Sequence, residues 1–218
     1  MSPRSKELSK EMRAQSIQSL VTTARQMFAE RGYFNCKVSD VARAAGMSQG
    51  NVYWYFSSKE ELLKAVLVDG FESLGALFQQ AATDRGTCLQ KMDHLLDELL
   101  IFIDQRGDFN QVLLSLMGHG GPEFLGRLGI DMDQIGLRYT RAVAKILVQG
   151  QEEGVIPQIL DPNVQAMFFF GLFNGLNLTY GQTWAGLPRP LLQGAVFRLL
   201  GISPQAYSSA QQSGSTPG

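Results

Sequence analysis

The sequence of 218 residues predicts an all-α protein, and three observations support that prediction. Apolar residues recur at spacings of three and four along most of the chain, which is the period of an amphipathic helix. Alternation with a period of two never lasts long enough to require a β-sheet. Glycine and proline stand mainly between the periodic segments, where helices end and begin. We expect three short N-terminal helices joined to a larger helical domain.

The first four helices are predicted within the N-terminal third of the chain, at residues 17–28, 38–45, 48–56 and about 58–78. The first has apolar residues on one face over three turns and ends at Gly32. Ser48 is a suitable N-cap for the third helix. Ser57 or Ser58 caps the fourth, whose first turn carries glutamates where the helix dipole favours negative charge.

The later helices are predicted at residues 86–106, 108–117, 122–153, 163–180 and 190–200, with a break at Gly129. Asp161 or Asn163 caps the fourth of these, and Pro188 and Pro190 open the last. The tail at 203–218 is rich in Ser, Gln, Gly and Pro, so we expect it to be disordered.

Charge is unevenly distributed along the chain. Residues 1–60 hold nine Lys and Arg against five Asp and Glu, whereas residues 61–218 hold ten against fifteen. The basic N-terminal part therefore suits a polyanionic partner. Only Cys36 and Cys88 are present, too few for a disulfide framework or a metal cluster, so a reducing cytoplasm is expected. We see no apolar leader, and the apolar run at 167–173 is too short to span a membrane.

Two short helices that meet at Gly46-Met47-Ser48 form a helix-turn-helix pattern. Ala42 allows the helices to approach closely, Gly46 allows a left-handed turn residue, and Val52 anchors the second helix in the core. By itself this pattern is only moderately specific.

A longer motif supports the helix-turn-helix prediction. Residues 28–33 read F-x-x-x-G-Y, residues 38–48 read V-x-x-V-A-x-A-A-G-M-S, and residues 50–63 read GNVYWYFSSKEELL. Together, residues 16–67 closely resemble the N-terminal domain of TetR-family transcriptional regulators. The resemblance implies a DNA-binding domain at residues 12–60 and a ligand-binding and dimerisation domain at residues 61–202.

The family resemblance also assigns roles to individual residues. It places Gln49, Gly50, Asn51 and Tyr53 at the major groove, Ser39 at a position that sometimes reaches a base, and Trp54, Tyr55 and Lys59 at phosphate-binding positions. The chemistry agrees, because Gln and Asn pair bidentately with adenine. Hydroxyl, indole and ammonium donors suit phosphate oxygens. Two of these residues have an alternative role that stays open. For Tyr55 the alternative is packing in the core, and for Lys59 the alternative is a solvated charge without a DNA contact.

Cys36 departs from the family pattern, which usually has Ser or Thr at this position as a helix cap. A thiol at a helix N-terminus can have a lowered pKa, which would suit a redox sensor. The alternative is a small residue that is tolerated at this position.

Two short segments of the sequence are also typical of a class of enzymes, the esterases. Residues 46–50 fit the G-x-S-x-G elbow of esterases, and His119 begins a segment typical of an oxyanion hole. However, the elbow requires a preceding strand, and the glycine-rich segment should precede the serine. No catalytic residue, cofactor or metal is therefore predicted, and His94 and His119 are interpreted as ordinary histidines. A constitutive architectural DNA-binding protein would not need so long an apolar helical body.

The predicted helix at 163–180 is apolar on nearly every face, and such a helix must be buried on every face. In one chain of this size a face would stay exposed, which implies a homodimer, and the family resemblance implies a four-helix bundle with the last helix. The predicted interface residues are Phe168, Gly171, Leu172, Gly175, Leu192, Ala195, Val196 and Leu199. The alternative is that both helices belong to the core of one chain.

The helices between the two regions would then surround an effector pocket. Candidate lining residues are Phe102, Phe109, Met117, His119, Tyr139, Phe173, Asn174 and Trp184. No cluster of basic residues lies among them, so a mostly apolar, aromatic or amphipathic effector is expected. The function predicted from the sequence is a repressor that binds a palindromic double-stranded operator as a homodimer and is released by that small molecule.

Overall fold

The computed structural model describes residues 3–118, 120–181 and 183–202, with side chains from Lys10 onward. The described residues contain ten α-helices and one short 3₁₀ turn, and none of them lies in a strand. The helices are α1 Pro3–Arg31, α2 Val38–Ala44, α3 Gln49–Tyr55, α4 Lys59–Thr83, α5 Cys88–Gln105, α6 Gly107–Met117, α7 Gly121–Arg127, α8 Met132–Glu152, α9 Pro162–Tyr180 and α10 Arg189–Leu199. The all-α class predicted from the sequence is confirmed.

The first helix differs most from prediction. Helix α1 begins at Pro3, more than three turns before the predicted start. The sequence before residue 17 has no apolar stripe, so its pattern did not predict these turns. The predicted break at Gly129 is confirmed, because the stretch predicted at 122–153 is two helices, α7 and α8, on either side of it. Gly129 has a φ of +72°, which continues no right-handed helix. The 3₁₀ turn Thr183–Gly186 was not predicted. The predicted disordered tail, residues 203–218, lies outside the described residues.

The chain divides into two compact units. The head unit comprises the described residues within Met1–Glu72 and Arg106–Met132, and the body unit those within Ser73–Gln105 and Asp133–Gly218. Helices α6 and α7 belong to the head unit because α6 packs along α1. The predicted boundary at residue 60 concerns functional domains and stays a prediction.

A cluster of charged and polar groups, the Asp69 cluster, ties three helices of the head unit together. It consists of Gln18, Arg25, Asp69, Arg106 and Asp108. Arg25 is only 7% exposed, and its Nε donates to Asp108 Oδ2 at 2.8 Å. Asp69 accepts from Arg106 at 2.7 Å, from Gln18 at 3.2 Å and from Arg25 at 3.4 Å. The cluster thus joins α1, α4 and α6 by hydrogen bonds as well as by charge.

The body unit has its own apolar core, built mainly from α5, α8, α9 and α10. Its fully buried members include Leu95, Leu96, Val143, Leu147 and Phe169. Asp161 caps α9 by accepting the backbone N–H of Asn163 at 2.8 Å, as the sequence analysis allowed. The hydrogen bond from Asn163 lowers the pKa of this carboxyl.

Arg189 fixes the start of α10 to α5. Its Nη2 donates to Asp93 Oδ1 at 2.6 Å, and its Nε donates to Asp97. Burial acts to lower the pKa of Arg189, but the hydrogen bonds that its guanidinium donates to the two carboxylates raise this pKa above its usual value. Because both carboxylates are engaged by one guanidinium, this end of the body unit is held by a charge-assisted clamp.

Candidate nucleic-acid interface

The turn between α2 and α3 depends on Gly46. Its φ is +66°, and a Cβ built on it would meet nothing within 4 Å, so the backbone conformation alone requires glycine. The N–H of Met47 donates to the carbonyl of Ala42 at 2.8 Å and closes the C-terminus of α2. Ser48 then caps α3 by accepting the N–H of Asn51 at 3.1 Å. These bonds fix the direction in which α3 leaves the turn.

Helix α3 presents one buried and one exposed face. Val52 and Phe56 are buried against the head unit, which confirms the core role predicted for Val52. The predicted base-contacting residues Gln49, Gly50 and Asn51 are exposed, as is Tyr53. Seven residues are enough for one such face, because only the first turns of a recognition helix reach base edges in the major groove. The arrangement therefore presents two amides and a phenol on one short, rigidly capped helix.

The residues predicted at phosphates occupy three different environments. Trp54 is 64% exposed, while Tyr55 is half-buried, and their rings meet edge to face at 4.7 Å. Tyr55 is thus partly a packing residue, which is one of the two roles left open for it. Ser39 in α2 is also half-buried.

Lys59 is not a freely solvated charge. Its ammonium lies 4.2 Å from the centre of the Tyr33 ring, and its Nζ donates to the carbonyl of Phe34 at 3.5 Å. Burial lowers the pKa of Lys59, against the opposing effects of Cys36 and Glu60. A lysine held in this way is positioned before any phosphate arrives, so it loses less side-chain entropy on binding.

The redox alternative for Cys36 is not supported by its surroundings. Cys36 is buried, and burial together with Asp40 raises the pKa of its thiol. A raised pKa disfavours the reactive thiolate. The N-cap of α2 is Lys37, whose backbone N–H donates to Asp40 Oδ2 at 3.2 Å, so the capping role expected near this position belongs to neighbouring residues. Cys36 is therefore a small buried packing residue.

Arg13 is a candidate contact that the sequence analysis missed. Its guanidinium lies 4.8 Å from the centre of the Trp54 ring, in a cation–π arrangement, and its residue is exposed on α1. The N-terminal excess of basic residues was the available signal, but the predicted helix began after this position. Stacking on Trp54 leaves the N–H donors of the guanidinium available for a phosphate.

We expect Arg13→Ala to weaken binding to every DNA sequence alike and to reduce the slope of log affinity against log salt concentration by about one. Arg141→Ala, which removes the same charge from an exposed position on α8, serves as the control. Fluorescence anisotropy at several salt concentrations measures both slopes. A wild-type slope for the Arg13 variant would remove Arg13 from the interface.

The predicted dimer residues divide into two groups. Phe168 on α9 is 59% exposed, Leu199 on α10 is exposed, and Gly171, Gly175 and Ala195 lie on the same exposed side of their helices. Leu172 is half-buried. By contrast, Leu192 and Val196 are buried in the core of their own chain, so they support the exposed surface from below instead of facing a partner.

The exposed part of this surface, the α9–α10 face, is strongly apolar. It also includes Met167 and Leu191, at 63% and 65% exposed. A Cβ built on Gly171 or Gly175 would meet nothing within 4 Å, so both glycines border open space. Large contiguous apolar surfaces are unusual on monomers and mark interaction sites.

The predicted pocket residues do not form one group. Phe109 and Met117 belong to the head unit, and His119 lies outside the described residues. Phe109 is a packing residue: a Cβ on Gly70 would come within 2.2 Å of its ring, and Phe71 meets it edge to face. Met117 is exposed.

The other five predicted pocket residues lie in different parts of the body unit. Phe173 meets Trp184 at 5.4 Å, and the Trp184 indole N–H donates to Asn177 at 2.9 Å. Tyr139 is buried against Phe78, and Asn174 is exposed. The last, Phe102, lines a groove of about 420 Å³ between α4 and α5. This groove was not predicted.

The described residues include no group of three or more His, Cys, Asp or Glu side chains arranged to hold a metal ion. Among the described helices, none is long and apolar enough to cross a membrane.

Comparison with known proteins relates this geometry to a family. Residues 20–66 match the family model described as "Bacterial regulatory proteins, tetR family". The chain is 25% identical over 174 residues to the probable acrEF/envCD operon repressor of Escherichia coli strain K12. This match covers 78% of this chain and 77% of that protein. The chain is also 27% identical over 184 residues to the HTH-type transcriptional regulator TtgR of Pseudomonas putida. This match covers 79% of this chain and 81% of TtgR.

The fold is shared with solved structures as well. The transcriptional regulator FadR from Bacillus subtilis, solved in complex with stearoyl-CoA, matches with a TM-score of 0.67 at 21% identity over 84% of this chain and 96% of that one. The relatives are transcriptional regulators, not enzymes. With its capped helix-turn-helix and its match to the family model, the chain belongs to the TetR family of DNA-binding transcriptional regulators.

Proposed function

We propose that this protein is a ligand-responsive repressor that binds a palindromic DNA operator as a homodimer in the cytoplasm. The observation that carries the proposal is the exposed face of α3, where Gln49 and Asn51 stand on a helix fixed by the Gly46 turn and the Ser48 cap. Two amides on a short rigid helix suit the reading of adenine edges in the major groove.

The surroundings of α3 support contacts to the DNA backbone. Lys59 and Arg13 each hold a cation against an aromatic ring, at 4.2 Å and 4.8 Å, so both charges are positioned by ring contacts. Trp54 adds an exposed indole N–H donor. Contacts of this kind fix the register of a protein on the duplex, while the amides specify the sequence.

We expect Asn51→Ala to relax base preference at one position in each half-site, at a cost of roughly 1–3 kcal/mol against the preferred operator. The operator is first selected from random DNA, and affinities are then measured on single-base variants of the selected site. Gln26→Ala, an exposed amide on α1, is the control and should leave the preferences unchanged. Equal loss on every variant would assign Asn51 to phosphate contact.

A homodimer explains the α9–α10 face, which is too apolar to be left exposed on a stable monomer. A two-fold dimer carries two copies of α3, and binding to successive turns of one face of the duplex requires them about 34–36 Å apart. Symmetry of the protein then dictates a palindromic site.

The effector is a small, mostly apolar molecule that binds the body unit and favours a conformer with the wrong spacing of the two α3 helices. By thermodynamic linkage, binding of the effector lowers DNA affinity by the free energy with which the effector prefers that conformer, typically 1–3 kcal/mol. Repression with release by an effector is supported by the relative named an operon repressor. Binding of a small molecule is supported by the relative solved with stearoyl-CoA.

A further inference from the structure

The groove between α4 and α5 has the form of a small-molecule site. Eleven residues line it, five from one face of α4 and six from one face of α5, and all belong to the body unit. Its volume of about 420 Å³ lies in the range that accommodates drug-sized ligands. Leu77, Leu95 and Ile101 supply an apolar floor and wall, while the rest of the lining is mostly polar. Such a mixture orients an amphipathic ligand.

The charge of the lining is one-sided. Glu98 is the one carboxylate among the eleven lining residues, and none of them is Lys or Arg. The acidic neighbours Asp93 and Asp97 on the same helix are both engaged by Arg189. Glu98, in contrast, forms no hydrogen bond or ion pair with any residue in the described ranges. A carboxylate in this position attracts a ligand cation and repels an anion.

An aromatic ring stands one helical turn from this carboxylate. Phe102 and Glu98 are four residues apart on α5, so their side chains share one face, and both line the groove. A ring face and a carboxylate side by side are the two groups that bind organic cations best, by cation–π attraction and by charge. His94 precedes Glu98 by one turn on the same face and adds a hydrogen-bonding group.

We infer that the α4–α5 groove binds a monovalent organic cation with an apolar body. The cationic centre lies between Glu98 and Phe102, and the apolar body rests on Leu77, Leu95 and Ile101. This inference rests on the proposed function in one respect only, namely that the cation is then the effector. Such an effector differs in charge from the stearoyl-CoA bound by FadR from Bacillus subtilis, which is a polyanionic thioester.

The test compares two probes of nearly the same size and shape but opposite charge, tetraphenylphosphonium and tetraphenylborate. Calorimetric titration of the full chain at fixed salt should give at least tenfold tighter binding of the cation. Glu98→Gln, which keeps the size of the side chain, should weaken the cation at least tenfold. Phe102→Leu should weaken it several-fold. Glu152→Gln, an exposed glutamate at the end of α8, is the matched control and should bind like the wild type.

A second measurement separates this inference from the proposed function. Each variant is first shown to bind the selected operator normally without probe, and the probes and stearoyl-CoA are then titrated into the protein–operator complex. Equal affinity for the two probes, or an unchanged Glu98→Gln variant, would overturn the cation site, and so would operator release by stearoyl-CoA without cation binding. Tight, Glu98-dependent cation binding without operator release would uphold the site and contradict the proposed effector response.

Discussion

Replacing Phe168 by aspartate is expected to convert the protein to a monomer and to lower operator affinity at least about 100-fold. Phe168 is exposed on the α9–α10 face, so the new charge would enter the proposed interface without disturbing the core of one chain. A charge buried without a partner at an interface is strongly unfavourable. Loss of the dimer turns one bivalent binding event into two independent ones, and this removes an avidity of roughly 10² to 10⁴.

Sedimentation at micromolar concentration and operator titration measure the two effects. Val148→Asp, which places the same charge at another exposed apolar position on α8, is the matched control and should remain dimeric. A Phe168→Asp protein that sediments as a dimer would show that the α9–α10 face is not the interface. A monomeric variant that binds the operator with wild-type affinity would contradict bivalent binding.

Replacing Asp69 by alanine is expected to destabilise the head unit by about 3 kcal/mol. The Asp69 carboxylate accepts hydrogen bonds from Gln18, Arg25 and Arg106. Among the described residues, its removal leaves the buried Arg25 guanidinium with Asp108 as its one carboxylate partner. Breaking a fully buried ion pair from one side costs roughly 3–5 kcal/mol, and the lower end applies here because Asp69 keeps some solvent contact.

Urea unfolding at one fixed protein concentration measures this loss, since a dimer's stability depends on concentration. Asp104→Ala, an exposed carboxylate on α5, should change the free energy of unfolding by less than about 0.5 kcal/mol. An Asp69→Ala variant that unfolds at the wild-type midpoint would show that the Asp69 cluster does not stabilise the packing of α1, α4 and α6.

Sequence pattern predicted most helices because each buries one face. Helices α3, α5 and α9 begin or end close to the predicted residues, since an apolar stripe and a cap both act locally. The sequence of the first turns of α1 has no apolar stripe, so periodicity gives no signal there, although Glu, Lys, Arg and Met are all good helix formers. Arg13 was missed for this reason.

Contacts between distant positions could not be predicted in the same way. Arg13 meets Trp54 across 41 positions, and the Asp69 cluster joins residues from three helices. Phe109 was assigned to a pocket because it is an aromatic residue in the right region, but the absence of a side chain at Gly70 draws its ring onto α4. The groove combines two helix faces whose residues, taken singly, are unremarkable.

The two glycines on the α9–α10 face have a consequence for the turnover of this protein in the cell. Nothing in the folded chain requires a bare backbone at Gly171 or Gly175, and alanine would favour the helix by up to about 1 kcal/mol at each. The lone chain is therefore less stable than its sequence could make it, and in the proposed homodimer association with a second copy would supply the difference. Newly made chains that fail to meet a partner are then the ones most exposed to proteases. Turnover of the repressor would rise as its copy number falls, which sharpens the threshold between a silenced and an expressed gene.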